Sequence, residues 1–271
     1  MTSQIEKAER FLALHQGPEP LLLPNPWDIG SAKLLVSLGF SALASTSGGF
    51  AATLGRPDGH VTRGEALTHA SNLVEATNLP VSADLENCFA DDPETVAETV
   101  ELAIEAGLAG CSIEDFTRDE DKPIYDLPLA AARVAAAASA AAGPVRLVLT
   151  ARAENYLHGR TDLADTIARL QAYQEAGADV LYAPGLTRLE DIRQVVGSVD
   201  RPVNVLALRG GPPIAELAAA GVRRVSVGAG FAFAALGAVV EAATELREQG
   251  TYGFLERAAA GRAAARAAFT S

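Results

Sequence analysis

Two carboxylates close what otherwise reads as a buried β-strand. In "VSADLEN", residues 81–87, Asp84 and Glu86 stand at i and i+2, a spacing that turns both to one face of a strand. A third acid, Glu114, closes the next apolar run, "GCSIED". Converging from adjacent strands with no lysine beside them, the three make a hard oxygen-ligand site of the kind that suits Mg²⁺ or Mn²⁺. The four histidines, His15, His60, His69 and His158, show no paired spacing that would suit zinc. Arg152 ends a later strand, where a planar guanidinium can hold a carboxylate or phosphonate through two parallel hydrogen bonds. "STSGGF" (45–50) adds hydroxyls and backbone N–H groups that Gly48 and Gly49 free to curl round an anion. One divalent metal, one arginine and an N–H nest suit a small substrate with two anionic ends.

Such residues meet only if the fold gathers strand ends. Short apolar runs recur at 20–25, 41–46, 80–86, 110–115, 145–152, 179–184, 202–207 and 223–228. Between and after them fall helix-period segments near 29–38, 62–77, 93–106, 127–141, 161–175, 188–196, 213–220 and 230–248. The runs are nearly continuous in apolar and small residues, as strands buried on both faces are. "NLPVSAD", "DRPVNVL" and "AGPVRLVL" set a proline before a strand, while "EAGLAGCSI", "EAGADVLY" and "AAGVRRVSV" place a glycine where a helix must stop in the left-handed conformation. Eight βα units in 271 residues predict an α/β protein, a single (β/α)₈ barrel domain over 1–271. The segment 1–19 contributes an N-terminal amphipathic helix, and the Ala-rich 251–271 a C-terminal helix that would pack on a neighbouring subunit. Barrel chemistry sits where strands end. The residues there include Asn25, Asp28, Asp84, Glu86, Glu114, Asp115, Arg152, Glu154 and, on the seventh strand, Asn204. We take Ser47, Gly48, Gly49, Arg152 and Asn204 as the candidate substrate contacts.

The totals narrow the partners. The 34 acids against 22 basic residues give a net charge of −12, which argues against nucleic acid or an anionic membrane. No run of eighteen apolar residues free of charge and glycine appears, and Cys88 and Cys111 lack a CxxC spacing, so a reduced, cytoplasmic chain without a membrane span is expected. Lysine occurs only as Lys7, Lys33 and Lys122. None ends a strand, which removes Schiff-base chemistry.

The motifs "NPWDIGSAKLL", "STSGGFAATLGRPDG", "VSADLENCFADDPETVAETV", "GCSIEDF" and "TARAENY" follow one another in an order that resembles the isocitrate lyase and phosphoenolpyruvate mutase superfamily, over about residues 20–250. That resemblance implies a Mg²⁺-dependent barrel that breaks or forms a carbon–carbon or phosphorus–carbon bond beside a 2-oxo or 2-hydroxy carboxylate. It would place Asp84, Glu86 and Glu114 round the metal and Asp58, in "RPDG", as an additional acid near it, counted with Arg152 among the catalytic groups. Ser47, Gly48 and Gly49 would hold the substrate carboxylate. It further implies a homo-oligomer, dimer or tetramer, with the C-terminal helix exchanged between subunits. The lyases of the superfamily carry a K[KR]CGH motif after the fourth strand, whereas "DFTRDEDKPIYDLPLA" here has no cysteine. Decarboxylation of a 2-oxo diacid needs only the metal and an anion clamp, so it fits this chain best. A barrel that binds a diacid without turnover, and a phosphonopyruvate-type enzyme, are the alternatives. Tyr156, His158 and Tyr182 are the candidate proton donors.

Overall fold

The computed structural model describes residues 2–270. Helix α1 (Gln4–Leu14) leads into β1 (Leu21–Leu23), α2 (Ile29–Ser37), β2 (Leu43–Ala44), α3 (Ser47–Thr53) and α4 (Arg63–Glu75). The middle of the chain alternates strictly: β3 (Val81–Asp84), α5 (Pro93–Glu105), β4 (Gly110–Glu114), α6 (Leu127–Ala141), β5 (Val148–Arg152) and α7 (Leu163–Glu175). It continues through β6 (Val180–Tyr182), α8 (Leu189–Gly197), β7 (Val203–Leu206), α9 (Ile214–Ala219), β8 (Arg224–Ser226), α10 (Gly230–Gln249) and α11 (Phe254–Phe269).

The eight strands form one parallel sheet in the order β1-β8-β7-β6-β5-β4-β3-β2. A backbone bond from Ala44 N–H to the Pro24 carbonyl, 3.1 Å, spans the remaining seam. The fold is therefore the expected (β/α)₈ barrel. Its punctuation follows from residue chemistry. Thr62, Asp92 and Asp162 cap α4, α5 and α7 with side-chain oxygens, satisfying N–H groups that have no partner within a helix. Gly107, Gly177 and Gly221 end helices at φ of +83°, +104° and +86°, the region only glycine enters without strain.

Alternation along the strands sorts two cores. Leu149, Ala151, Val203, Val205 and Val225 face outward into the helical layer. Leu21, Leu23, Val148 and Val180 face the barrel axis, where α1 closes the bottom with Ala8 and Phe11. Gly110 makes room for that plug, since a Cβ there would lie 2.7 Å from the Phe11 ring. Gln4 donates to the Ile104 and Leu108 carbonyls and Lys7 to that of Thr77, which ties α1 to the loops beneath β3 and β4.

His15, at the end of α1, is 1% exposed. Its Nδ1 lies 2.8 Å from the Phe11 carbonyl and its Nε2 3.4 Å from Arg224 Nη1. A carbonyl can only accept and a guanidinium only donate, so the ring is neutral with its proton on Nδ1. Burial first, and the Arg224 charge second, push its pKa down to about 3 from 6.5. Between those values the unfolded chain takes up a proton that the folded one refuses. Stability from this group is therefore complete above pH 6.5 and declines as pH falls towards 3, by about 1.4 kcal/mol per pH unit. Urea unfolding at pH 7 and pH 5 should show a smaller acid loss for His15→Gln than for the parent; equal losses would contradict the assignment.

The eighth barrel helix departs from the pattern. Apart from Ala232, α10 is not buried, and Phe233, Val239 and Val240 are each more than half exposed. On the outer face of β1, Leu22 is 43% exposed. The C-terminal helix α11 lies against α2 of its own chain, with Phe269 beside Gly30. No helix among the described residues is long and apolar enough to cross a membrane.

Candidate active site

The strand ends collect carboxylates around one guanidinium. Arg152, closing β5, reaches Asp84 Oδ1 at 2.9 Å through Nη1, Glu114 Oε2 at 3.2 Å through Nη2 and Glu154 Oε1 at 2.7 Å through Nε. The register explains the meeting, because Glu114 pairs with Arg152 across β4 and β5. Asp84 also accepts from the Ser47 N–H at 3.2 Å and the Ser47 hydroxyl at 2.9 Å. Burial alone would weaken Arg152 as a cation, but the three acids hold its pKa well above the usual value.

The acids feel the opposite pressure. Burial pushes Glu114 well above the ordinary carboxyl range and raises Glu154, more than Arg152 beside them lowers either. Glu86 rises to about 7, chiefly through burial, although Arg118 pairs with it from the loop after β4. Asp58 stands on the exposed rim of the mouth; loss of solvent on its inward side, then the Asp84 charge, raise its carboxyl. Five carboxyls thus share Arg152 and Arg118, and positive charge is short.

Two expectations need correction. β3 ends at Asp84, so Glu86 lies in a turn with φ of +51° and does not share a strand face with Asp84. The turn forms because Asp84 Oδ1 accepts the Glu86 N–H at 3.3 Å and Asn87 Oδ1 that of Phe89 at 3.1 Å. Nor is "STSGGF" a curled loop: Thr46 caps α3, so Ser47, Gly48 and Gly49 form a helical first turn. Gly49 is required there, since a Cβ would meet Thr46 Cγ2 at 2.5 Å.

Beneath this ring the barrel is hollow. A cavity of about 190 Å³ runs from Ser47, Asp58 and Asp84 down past Arg152 and Tyr182 to Asn204, Arg224 and Ser226. Asn204 lies deep rather than at the mouth, donating to Ser226 Oγ and accepting from Arg224 Nε, both at 2.9 Å. Glu86 and Glu114 border the acid ring without lining the cavity. Among the described residues no three of His, Cys, Asp and Glu converge closely enough to hold an ion as the side chains stand. Of the candidate proton donors, Tyr182 lines the cavity and Tyr156 and His158 do not. Burial pushes the Tyr182 hydroxyl up to about 12, so it keeps its proton.

Residues behind the ring fix its geometry. Asp115, 2% exposed, accepts from Arg169 Nη1 at 3.1 Å, from the Tyr173 hydroxyl and from the Glu154 N–H at 2.7 Å. Arg133, from α6, donates to the carbonyls of Glu114, Asn87 and Ala90, locking the turn that carries Glu86 to the end of β4. Glu154, Asp115 and Arg224 had no role assigned from sequence. Asp115 and Glu154 show only as polar strand ends, and Arg224 only as a charge inside the apolar run "RRVSV".

The fold and the acid-ringed mouth define a barrel enzyme family, and comparison with known proteins says which. The model of the phosphoenolpyruvate phosphomutase family matches residues 11–247, and the chain belongs to that family, within the isocitrate lyase and phosphoenolpyruvate mutase superfamily. A Burkholderia cenocepacia structure, provisionally described as a lyase/mutase, superposes with a TM-score of 0.94 at 55% identity, covering 97% of this chain and 96% of that one. An uncharacterized protein of Mycobacterium tuberculosis is 34% identical over 220 residues, 80% of this chain and 81% of its own. The 2-methylisocitrate lyase of Halalkalibacterium halodurans is 32% identical over 209 residues, 74% and 67% of the two chains. Two further relatives are 28% identical. The oxaloacetate decarboxylase of Chromohalobacter salexigens aligns over 91% of this chain and 87% of its own. The structure of 2,3-dimethylmalate lyase gives a TM-score of 0.83 and covers 93% and 90%. The superfamily therefore includes lyases of small carboxylic acids.

Proposed function

We propose that this chain is a Mg²⁺-dependent lyase that breaks a carbon–carbon bond of a small 2-oxo or 2-hydroxy dicarboxylic acid, with oxaloacetate-type decarboxylation as the leading reaction. The observation that carries this reading is the crowd of five carboxyls round two arginines at the mouth of the barrel cavity. An oxygen-only donor set short of positive charge fits a hard divalent cation, which keeps several waters and needs few direct protein ligands. Asp84, with Glu86 and Glu114 directly or through water, would hold the ion once their arginine contacts loosen. Bound there, the ion would supply Lewis-acid stabilisation of negative charge developing on the 2-oxygen.

The chain's own groups do the rest. At the first turn of α3, Ser47 would turn its N–H and hydroxyl, now held by Asp84, to a substrate carboxylate together with the Gly48 N–H, while the Gly49 N–H stays on the Thr46 cap. Arg152 orients the acids and faces the anionic substrate. Asp58, on the rim beside Ser47 and Asp84, is the further acid close to the reacting end. The bare apolar face of α10 and the uncovered Leu22 support a homo-oligomer in which a second copy covers them, with α10 as the exchanged element while α11 stays on α2 of its own chain.

Turnover of oxaloacetate, isocitrate, methylisocitrate and phosphonopyruvate, measured with Mg²⁺ and after chelation by EDTA, tests the reading. We expect metal-dependent release of carbon dioxide or of an acid fragment from one of the first three. Reaction of phosphonopyruvate alone would move the assignment to phosphorus–carbon chemistry. Binding of a diacid with no turnover of any would make the chain a receptor. That second reading is favoured by the loop after β4, which has no cysteine and brings Arg118 onto Glu86.

A further inference from the structure

The floor of the cavity holds a charge that the acid ring does not neutralise. Arg224 enters the barrel from β8 and is 4% exposed. Its Nε donates to Asn204 Oδ1 at 2.9 Å, and Nη1 and Nη2 both lie 3.1 Å from Thr150 Oγ1. The remaining contact is the neutral His15 ring. Every acceptor is uncharged, and no carboxylate among the described residues lies within ion-pair distance of Arg224. Burial lowers its pKa to about 10, which leaves it cationic at neutral pH.

A buried cation with only neutral partners is costly. Arg133 is also buried without a carboxylate, but it binds three backbone carbonyls outside the barrel axis. Arg224, by contrast, borders the open cavity together with Thr150, Ser226 and Asn204. Thr150, which holds the Arg224 guanidinium, and Arg152 face the same way on β5, their Cα atoms about 6.6 Å apart along the strand. A short diacid bridges such a gap. Arg152 is already matched by three carboxylates, whereas Arg224 has only neutral acceptors, and a carboxylate that took the place of Thr150 on its Nη1/Nη2 fork would supply the missing charge.

We propose that Arg224, with Thr150 and Ser226, forms an anion subsite at the barrel floor that receives the substrate carboxylate farthest from the mouth, and so selects dicarboxylic over monocarboxylic acids. The inference rests on the reading of the cavity as a carboxylic-acid site, but it requires no turnover.

Titration calorimetry with succinate and with butyrate, equal in length and differing in one carboxylate, tests it on the full chain. The parent should bind succinate at least about 30-fold more tightly, and Arg224→Met should reduce succinate to the butyrate level while leaving butyrate unchanged. Ser226→Ala, which keeps the cation, should lose about 3- to 10-fold for succinate only, and serves if Arg224→Met does not fold. Equal binding of the two acids by the parent, or full succinate affinity in a folded Arg224→Met, overturns the subsite. If no Arg224→Met folds, unchanged succinate affinity in Ser226→Ala overturns it. A chain that discriminates the acids but turns none over keeps the subsite and loses the lyase reading; a chain that turns a diacid over with unchanged KM in Arg224→Met keeps the lyase and loses the subsite.

Discussion

Replacing Asp84 by alanine should abolish turnover of whichever acid proves to be the substrate, by about 10²- to 10³-fold or more. The side chain stands where three elements meet: it accepts from Ser47 at the start of α3 and from Arg152 on β5, and it closes β3. Its loss should cost the fold little, about 1–2 kcal/mol, because Arg152 keeps Glu114 and Glu154. Asp84→Asn separates the two things the carboxylate can do. Asparagine still accepts a hydrogen bond from Ser47 or Arg152 but carries no charge. If negative charge is needed to hold a cation, Asp84→Asn is as inactive as Asp84→Ala; if Asp84 only positions Arg152, most of the rate returns. An unchanged rate in the alanine variant would remove Asp84 from the mechanism altogether.

Asp115→Ala should cost about 3 kcal/mol of folding stability, the lower end of what breaking a buried ion pair costs. The carboxylate accepts from Arg169, Tyr173 and the Glu154 backbone, so three buried donors lose their partner at once. Arg169 keeps Asp165 through Nε at 2.9 Å, which is why the lower end applies. Activity should fall as well, since the Glu154 N–H anchors the residue that holds Arg152 Nε. Lys122→Ala is the contrast. Its pair with Asp126 leaves the two side chains 65% and 73% exposed, and such pairs change stability by about 0.5 kcal/mol or less. Denaturant unfolding of both variants measures the difference, and comparable losses would contradict the burial argument.

What could be read from the residues and what could not divides along a physical line. The βα repeat was legible because "NLPVSAD" and "EAGADVLY" encode where a helix stops and a strand begins, and those are local events. The acids Asp84 and Glu114 were legible as strand ends for the same reason. The pairing of each acid was not, because Arg152 meets Asp84, Glu114 and Glu154 only once β3, β4 and β5 lie side by side. Glu86 reads as a strand residue because an apolar run does not show where ladder hydrogen bonds cease; a bond from its own N–H to Asp84 Oδ1 turns the chain first. The helix α3 was hidden by its two glycines, although Thr46 carried the capping signal. Arg224 is not legible inside "RRVSVG" because inward and outward positions of a strand three residues long are fixed by its neighbours rather than by its own period.

The plug formed by Phe11 and Ala8 against Gly110 has a consequence for traffic through the molecule. With its lower end stoppered, the barrel is a cul-de-sac, and whatever enters past Asp58 must leave the same way. A lyase that splits its substrate in such a dead end discharges its fragments in a fixed sequence. On the lyase reading, the piece nearest the mouth would depart first, and the piece beside Arg224 would wait behind it.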